Sequence, residues 1–451
     1  MRSLRYVVEE DEIFFLKANG RGVVYIPLRG AIIEVNAAAA QALLPGGEED
    51  DRAQILHQIT HEISSMAKST LVKDLKRSEG FSPYAVGLCL TNKCNLACAY
   101  CHADSGPSGS TFLPVEVAKA ALDFAYANAV AAGKCLEVSF PGTGEPTEAW
   151  PQMTAIVNYV EGLTQHHEPG LKISMSTNGV FGREKAKFIA DHFTGVSLSM
   201  DGPAEIQNAH RPSAFGFGTF DSVFKTASYF FDRGFLFSIR ATVSSLSVDR
   251  MSEIWDFFEK YFPGVAVGFE RMNPLGRGRA CAIRPPSIHD FNRNFERLFA
   301  EADRHKGLLL NSGVGKLNQL QSAFCKSLSY PCMTITPDAK ISACTRDGAP
   351  DYFHYGCWNA TTRSFDVDMD KVAYFRSITV DRFPECADCY AKYHCAGDCF
   401  DLRKAGIRRC LTNRRMIMLD LLHKLDHDRS ITSVTQADPR YKEISERLYH
   451  K

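Results

Sequence analysis

The sequence predicts an α/β protein built on a partial (β/α)6 barrel, with a small α+β module ahead of the barrel and a cysteine-rich domain behind it. Three observations carry that expectation. From about Tyr84 to Arg304 one unit repeats, a short β-branched or apolar run followed by a helical pattern. Residues 1 to about 80 instead hold short strand candidates separated by turn residues, and from about Asn311 the periodicity weakens while cysteine, glycine and aromatic residues crowd together.

In the leading module Ile13 to Leu16, Val23 to Ile26 and Ala31 to Val35 read as strands set off by Asn19-Gly20 and Gly30, and Ala37 to Leu44 and Arg52 to Ala67 read as helices. The barrel strands are Ala85 to Leu90, Leu136 to Phe140, Leu171 to Ser176, Val196 to Met200, Phe237 to Val243 and Val265 to Phe269. The helices that alternate with them are Pro114 to Ala132, closed by Gly133, then Trp150 to Leu163, Arg183 to Phe193, Thr219 to Phe231, Asp249 to Phe262 and Ile288 to His305. Strands joined by crossover helices must run parallel, so six units in series fit an open barrel or a doubly wound sheet. Either one collects its chemistry at the C-terminal ends of the strands. The expected domains are 1–80, 81–306 and 307–430, with 431–451 as a tail.

Composition narrows the function classes. Lys plus Arg and Asp plus Glu are 52 each in 451 residues, so no positive excess exists to hold a phosphate backbone, and nucleic acid is not expected as a partner. A chain that is 45% hydrophobic and 23% charged is of globular type, and its apolar runs, such as Ala37 to Leu44, fall far short of a membrane span. The start carries Glu9, Glu10, Asp11 and Glu12 and no apolar signal region, so the expected location is the cytoplasm.

Fifteen cysteines in a reducing compartment do not read as a disulfide framework, and an odd total argues the same way. Cys94, Cys98 and Cys101 lie in one loop directly after the first barrel strand, spaced Cys-x3-Cys-x2-Cys. Three thiolates can hold three irons of a [4Fe-4S] cubane and leave the fourth open to a ligand. A zinc site with His102 as fourth ligand, or three buried thiols, remain open on spacing alone. Cys325, Cys332, Cys344, Cys386, Cys389, Cys395, Cys399 and Cys410 crowd the last quarter; eight thiolates fill two further cubanes or two structural zincs. Cys89, Cys135, Cys281 and Cys357 have no ligand spacing around them and read as packed or incidental thiols. The basic run Arg403, Lys404, Arg408, Arg409, Arg414 and Arg415 reads as the solvated face of a helix.

The three-cysteine loop, with Tyr100 just before its last cysteine, resembles the cluster loop of the radical S-adenosylmethionine (SAM) enzymes. The resemblance continues in Pro141-Gly142-Thr143-Gly144-Glu145-Pro146, similar to the family's Gly-Gly-Glu-Pro segment, whose backbone receives the methionine amino group of SAM. This chain departs from it at Thr143, where the family usually has glycine. Ser176-Thr177-Asn178-Gly179, Ser199-Met200-Asp201-Gly202-Pro203 and Arg240-Ala241-Thr242-Val243 resemble family segments at successive strand ends. The resemblance implies that Cys94, Cys98 and Cys101 hold the catalytic cluster and that Tyr100, Gly144, Glu145, Pro146, Ser199 and Arg240 surround SAM, Ser199 at the ribose and Arg240 at the methionyl carboxylate. It implies cleavage of SAM to a 5′-deoxyadenosyl radical, with the hard chemistry supplied by the cofactor.

The C-terminal spacing Cys386-x2-Cys389-x5-Cys395-x3-Cys399, followed by Cys410, resembles the SPASM domain of radical SAM enzymes that act on peptides and proteins. Family topology assigns Cys325, Cys332, Cys344 and Cys399 to the auxiliary cluster nearer the barrel and Cys386, Cys389, Cys395 and Cys410 to the farther one, three [4Fe-4S] clusters in all. Ala339 stands where that pattern usually has glycine. The leading module resembles the region that recognises a leader peptide along a strand edge in SPASM maturases of ribosomally made peptides (RiPPs). The implied partners are a precursor peptide and an electron donor such as flavodoxin or ferredoxin.

The implied function is a peptide maturase that installs an intramolecular side-chain crosslink. The alternatives are an anaerobic sulfatase-maturing enzyme, which forms formylglycine, and a non-enzymatic iron-sulfur or zinc protein. The sulfatase-maturing family places an aspartate directly after a cysteine of the nearer auxiliary cluster, whereas Thr345 follows Cys344 here. Candidates for a general base are Asp201, Asp347 and Glu270.

Overall fold

A computed structural model describes residues 3–68, 80–109, 111–166, 168, 170–311, 317, 320–325, 332–345 and 351–427. The expected tail, 431–451, and Asp347 lie outside these residues. The described residues form two compact units: one gathers those of 1–77, 312–325 and 376–442, the other those of 78–311 and 326–375. This division differs from a sequential reading of the last 145 residues. The strands that follow Cys332 hydrogen-bond into the barrel sheet, whereas the last helices share a core with the leading module.

In the first unit β1 (Leu4–Val8), β2 (Asp11–Ala18), β3 (Arg21–Ile26) and β4 (Ala31–Val35) form an antiparallel sheet in sequential order. The sequence reading missed β1. Helices α1 (Ala37–Ala42) and α2 (Glu49–Ile63) follow, α1 capped by the Asn36 side chain, which accepts from Ala39 N. The strands carry continuous apolar runs because both faces of the sheet are covered. Ile13, Phe15, Val24 and Ile26 pack on Ala40, Leu43, Ile59 and Ile63. On the other face Phe14, Leu16, Val23 and Tyr25 pack on Tyr390, Ile417, Met418 and Leu421.

The second unit is an eleven-stranded sheet. Its parallel part runs β5 (Ala85–Leu88), β6 (Leu136–Phe140), β7 (Leu171–Thr177), β8 (Gly195–Ser199), β9 (Phe237–Val243), β10 (Ala266–Arg271) and the short β11 (Leu309–Leu310). Helices α3 (Val115–Ala132), α4 (Trp150–Thr164), α5 (Arg183–His192), α6 (Ala204–His210), α7 (Phe220–Asp232), α8 (Met251–Tyr261) and α9 (Ile288–Glu301) intervene. Strand order follows chain order without reversal, so the sheet is singly wound, as a partial barrel requires, and the doubly wound alternative falls away. The helices expected from periodicity are all present, and α6 is an addition whose seven residues are too few to show a period.

Beyond β5 the sheet continues into the cysteine-rich segment. β12 (Cys332–Ile335) pairs parallel to β5, Cys332 against Ala85 and Ile335 against Leu88, and β13 (Lys340–Ser342), β14 (His354–Asn359) and β15 (Ser364–Val367) follow as an antiparallel meander before α10 (Met369–Arg376). The first unit resumes with α11 (Lys392–Cys395), α12 (Phe400–Lys404) and α13 (Cys410–His427). Among the described residues no helix is long and apolar enough to cross a membrane.

Ala339 closes the β12–β13 turn at φ 61°, with its N–H donating to Thr336 O at 2.9 Å. That left-handed conformation costs a residue with a Cβ about 1–2 kcal/mol, which accounts for glycine at this place in the family pattern. Ala339→Gly is therefore expected to raise stability by about 1 kcal/mol, part of the gain being offset by the greater freedom of glycine in the unfolded chain. Denaturant titration checks this; a variant no more stable than the parent refutes it.

Candidate functional site

The cysteine loop leaves the end of β5 and is fixed by backbone bonds. Cys94 N donates to Gly106 O at 3.0 Å, Ala97 N to Pro212 O at 2.9 Å and Ala99 N to His210 O at 2.9 Å. Arg277 holds it from the other side, Nε donating to Cys98 O at 2.9 Å and Nη2 to Ser105 O at 2.7 Å. Burial pushes the Cys94 thiol up to about 12, with the charge of Glu145 adding to it, and burial pushes Cys98 up to about 11. Cys98 and Cys101 are near enough to raise Cys94 further. Two donors point at Cys94 Sγ, Leu96 N at 3.5 Å and Asn178 Nδ2 at 3.8 Å, as suits a sulfur that carries negative charge.

Among the described residues no three His, Cys, Asp or Glu side chains converge on one metal ion, and His102 is exposed. A cubane sets each thiolate on a separate iron, so neighbouring but unconverged thiols fit it better than they fit a tetrahedral zinc.

The Pro141 to Pro146 segment lies against this loop. A Cβ on Gly144 would meet Lys93 O at 2.3 Å and Thr91 O at 2.7 Å, so the close approach requires glycine there. Thr143 stays outside the left-handed region, so replacing glycine there strains nothing, and its carbonyl accepts from the Ser105 hydroxyl. Glu145 is 2% exposed, and its carboxylate faces protein: it accepts from Thr147 N at 3.2 Å, Thr177 Oγ1 at 2.9 Å and Asn178 N at 2.8 Å. Burial raises its pKa against these donors. What the segment presents outward is backbone. Pro146 begins a buried 3-10 turn directly behind it.

Asp201, just past the end of β8, joins four parts of the site. Its carboxylate accepts from the Tyr100 hydroxyl, from His210 Nδ1 at 3.1 Å, from Arg211 Nε at 3.0 Å and from Thr242 N at 2.8 Å. His210 Nε2 reaches Ser244 Oγ at 2.7 Å, and Arg211 lies 5.2 Å from the centre of the Tyr100 ring. Burial works to raise the Asp201 carboxyl, but the Arg211 guanidinium and the His210 ring overcome it and hold the group well below the usual carboxylate range. A saturated, ion-paired carboxylate is a poor proton acceptor, so Asp201 is not the base that its place beside a motif suggested. His210, Arg211, Ser244 and Arg277 were not singled out from sequence. Their partners lie up to 179 positions away, and no local pattern marks them.

Ser199 at the end of β8 and Arg240 in the middle of β9 are register partners, Ser199 half-buried and Arg240 exposed. They continue, by strand alternation, the rows of Ser197 and Ser238, which with Ser139, Ser174 and Ser176 line a cavity of about 490 Å³ that Ser199 and Arg240 do not themselves line. Cys332, Thr334 and Thr345 line the same cavity. Glu270 pairs with Thr242 on β10, half-buried.

In this unit Cys332 opens β12 and Cys344 lies two residues beyond β13, its N–H donating to Ser342 Oγ at 3.1 Å. In the other unit Cys386 senses the charges of Cys389 and Cys410, and so does Cys395, while Cys399 senses Cys325. The turn that parts Cys395 from Cys399 has Ala396, Gly397 and Asp398 all at positive φ, 47°, 82° and 68°, anchored by Arg409 Nε donating to Asp398 Oδ1 at 2.9 Å. The basic run is only in part the solvated face expected: Lys404 and Arg408 are exposed, whereas Arg403 is buried and Arg409, Arg414 and Arg415 are half-buried. Arg403 is 6% exposed, donates to Gly397 O at 2.9 Å and lies 3.8 Å from the centre of the Phe383 ring; Arg414 Nε donates to Cys389 Sγ at 3.3 Å. These arginines serve the cysteine fold, which a one-dimensional charge run cannot reveal.

Residues 88–254 match the Radical SAM superfamily. The chain carries a radical SAM domain. Such a domain uses a [4Fe-4S] cluster and SAM. The chain is 31% identical over 173 residues to the cysteine-type anaerobic sulfatase-maturating enzyme of Clostridium perfringens, 37% of this chain and 46% of that protein. It is 30% identical over 225 residues to the mycofactocin maturase of Mycolicibacterium smegmatis, 48% of this chain and 51% of that protein. The chain thus spans about half the length of the curated relatives it matches. Among solved structures, native anSMEcpe with bound AdoMet and Cp18Cys peptide aligns over 81% of this chain and 96% of its own at TM-score 0.54 and 20% identity. Streptococcus suis SuiB bound to precursor peptide SuiA aligns over 89% and 97% at TM-score 0.53 and 17% identity. These two likenesses are of fold alone.

Asp201→Asn removes the charge facing Arg211 and His210 while keeping the shape. Breaking a buried pair from one side is expected to lower stability by about 3–5 kcal/mol. Chemical denaturation checks it, and a loss under 1 kcal/mol would show the hub to be dispensable.

Proposed function

We propose that this protein is a radical SAM/SPASM peptide maturase that takes a hydrogen atom from a precursor peptide and installs an intramolecular side-chain crosslink, carbon to carbon, oxygen or sulfur. The observation that carries the reading is the lumen of the radical SAM sheet: one cavity, lined mainly by the first residues of β6 to β9 and reaching Pro141 and Ser176 of the SAM segments, is also lined by Cys332 and Thr345 of the cysteine-rich segment. A substrate residue held there has the radical source toward the strand ends and an auxiliary redox site at the β12 wall.

When bound, a cluster on Cys94, Cys98 and Cys101 together with SAM supplies a 5′-deoxyadenosyl radical. The chain's own residues bind and exclude. The backbone of Gly144 would receive the methionine amino group, Arg240 the carboxylate and Ser199 the ribose, with Tyr100, held by Asp201, beside the cofactor. The parallel sheet and its helices keep water and stray hydrogen donors out of the lumen. By the family resemblance Cys325, Cys332, Cys344 and Cys399 would hold one auxiliary cluster and Cys386, Cys389, Cys395 and Cys410 the other, which would give a second electron somewhere to go. A flavodoxin or ferredoxin type of donor supplies the first.

The precursor's leader pairs along an edge of the β1–β4 sheet. Because both faces of that sheet are buried, deleting residues 1–75 would open the core shared with α13, so leader binding is better tested by proline substitutions along an edge strand. Support comes from the mycofactocin maturase and from SuiB, which is described bound to a precursor peptide. Formylglycine formation is the second reading, favoured by the 31% identity to a sulfatase-maturating enzyme. Against it stands Thr345 after Cys344, where an aspartate would serve as base.

Anaerobically reconstituted protein is expected to carry about twelve irons and twelve sulfides. Replacing Cys94, Cys98 and Cys101 with Ala should remove about a third of them and all SAM cleavage. Zinc in place of iron after anaerobic purification refutes the assignment.

Co-expressed precursor should emerge lighter by about two hydrogen masses, since a bond between two side chains removes one hydrogen from each. Tandem fragmentation should show a gap between the joined residues. A complete fragment ladder with a hydrazine-reactive aldehyde would decide for formylglycine instead.

A further inference from the structure

Two neighbours on α13 aim nitrogen at sulfur. Asn413 Nδ2 lies 3.0 Å from Cys395 Sγ, and Arg414 Nε lies 3.3 Å from Cys389 Sγ. Asn413 is 1% exposed, and its Oδ1 is buried without a hydrogen-bond partner. An unpaired buried carbonyl oxygen costs folding free energy. A neutral thiol is a weak acceptor and would offset little of that cost, whereas a thiolate on iron is a charged acceptor and makes the stronger bond. Arg403 adds a buried guanidinium to the same fold, its Nη1 donating to Gly397 O at 2.9 Å and its Nη2 to the carboxylate of Glu385, the neighbour of Cys386. One wall of the four-cysteine group Cys386, Cys389, Cys395 and Cys410 is thus built of donors and cations, although sequence reading placed Arg403 and Arg414 in solvent.

We infer that Asn413 and Arg414 set the reduction potential of the farther auxiliary cluster, holding it high enough to act as an electron acceptor. The inference rests on the proposed reading of those four cysteines as cluster ligands. A cubane that takes up one electron gains one negative charge, spread largely over its sulfurs, while its donor loses one electron. N–H donors to the sulfurs and a nearby guanidinium stabilise the reduced form more than the oxidised form, and so raise the potential. A cluster with a purely structural role has no need of a charged donor on its ligand sulfur.

The test uses the full chain carrying Cys94→Ala, Cys98→Ala and Cys101→Ala, so that the auxiliary clusters are seen alone. Iron and sulfide are counted, and the midpoint potential is followed by electron paramagnetic resonance during dithionite titration. The signal of the farther cluster is identified as the one lost on Cys386→Ala with Cys389→Ala. Arg414→Gln and Asn413→Ala are each expected to keep iron and sulfide and to shift the reduction equilibrium tenfold or more toward the oxidised form, about 59 mV for one electron. Arg414→Lys, which keeps the charge without the fixed fork, should fall between them and the parent. Unchanged potentials at full iron content overturn the inference and leave the cluster assignment standing. If replacing Cys386 and Cys389 removes no iron, the assignment itself falls and the inference with it.

Discussion

The buried carboxylate of Asp201 is the constraint on which the site depends. It is placed at the end of β8 by the sheet, and from there it fixes Tyr100 of the cysteine loop, His210 and Arg211 at the end of α6, and the backbone of β9 at Thr242. A charge without solvent must be paired and hydrogen-bonded, and here its partners come from three separate stretches of chain, at Tyr100, at His210 and Arg211, and at Thr242. The cost of leaving it unpaired ties those stretches together. The cysteine loop, which carries little apolar surface of its own, takes its position from this hub and from Arg277 on its other flank.

The second organising feature is the parallel pairing of β12 with β5. A strand more than two hundred residues downstream completes the sheet edge, and Cys332 comes to the cavity wall opposite Ala85. The lumen is lined by serine hydroxyls because the polar rows of the strands face inward while their apolar alternates face the helices. Beside these hydroxyls the wall carries Glu137 and Lys172 near the strand starts. The hydroxyl lining suits chemistry in which the reactive group comes from a cofactor and the protein mainly excludes and orients.

The first unit solves a different problem. Its cysteine segments are short, turn-rich and strained at Ala396 and Asp398, and they are backed by apolar packing and buried ion pairs. Glu12 on β2 accepts from Lys392 Nζ at 2.7 Å and from the Tyr393 hydroxyl, and Tyr25 meets His394 at 2.6 Å. The leading sheet is therefore part of the wall that holds Cys395. A module that reads as a separate cap is an integral half of this unit's core.

The sequence by itself determined the fold class of this protein and marked the loop at which its chemistry is proposed. Strict alternation of apolar runs with helical periods specified the parallel sheet, since only crossover helices can join such strands, and the cysteine spacing after the first strand marked the cluster loop because ligation needs few residues close in the chain. Gly144 was legible for the same local reason. The tertiary structure alone decided what depends on residues far apart: the singly wound strand order, the placing of β12, the pairing of Asp201 with His210 and Arg211, and the turning of Arg403 and Arg414 from a presumed solvated face onto the cysteine fold. Hydrogen bonds and buried ion pairs act through space and leave no period or spacing behind, whereas helices, strands and metal loops are written in intervals of two to four residues.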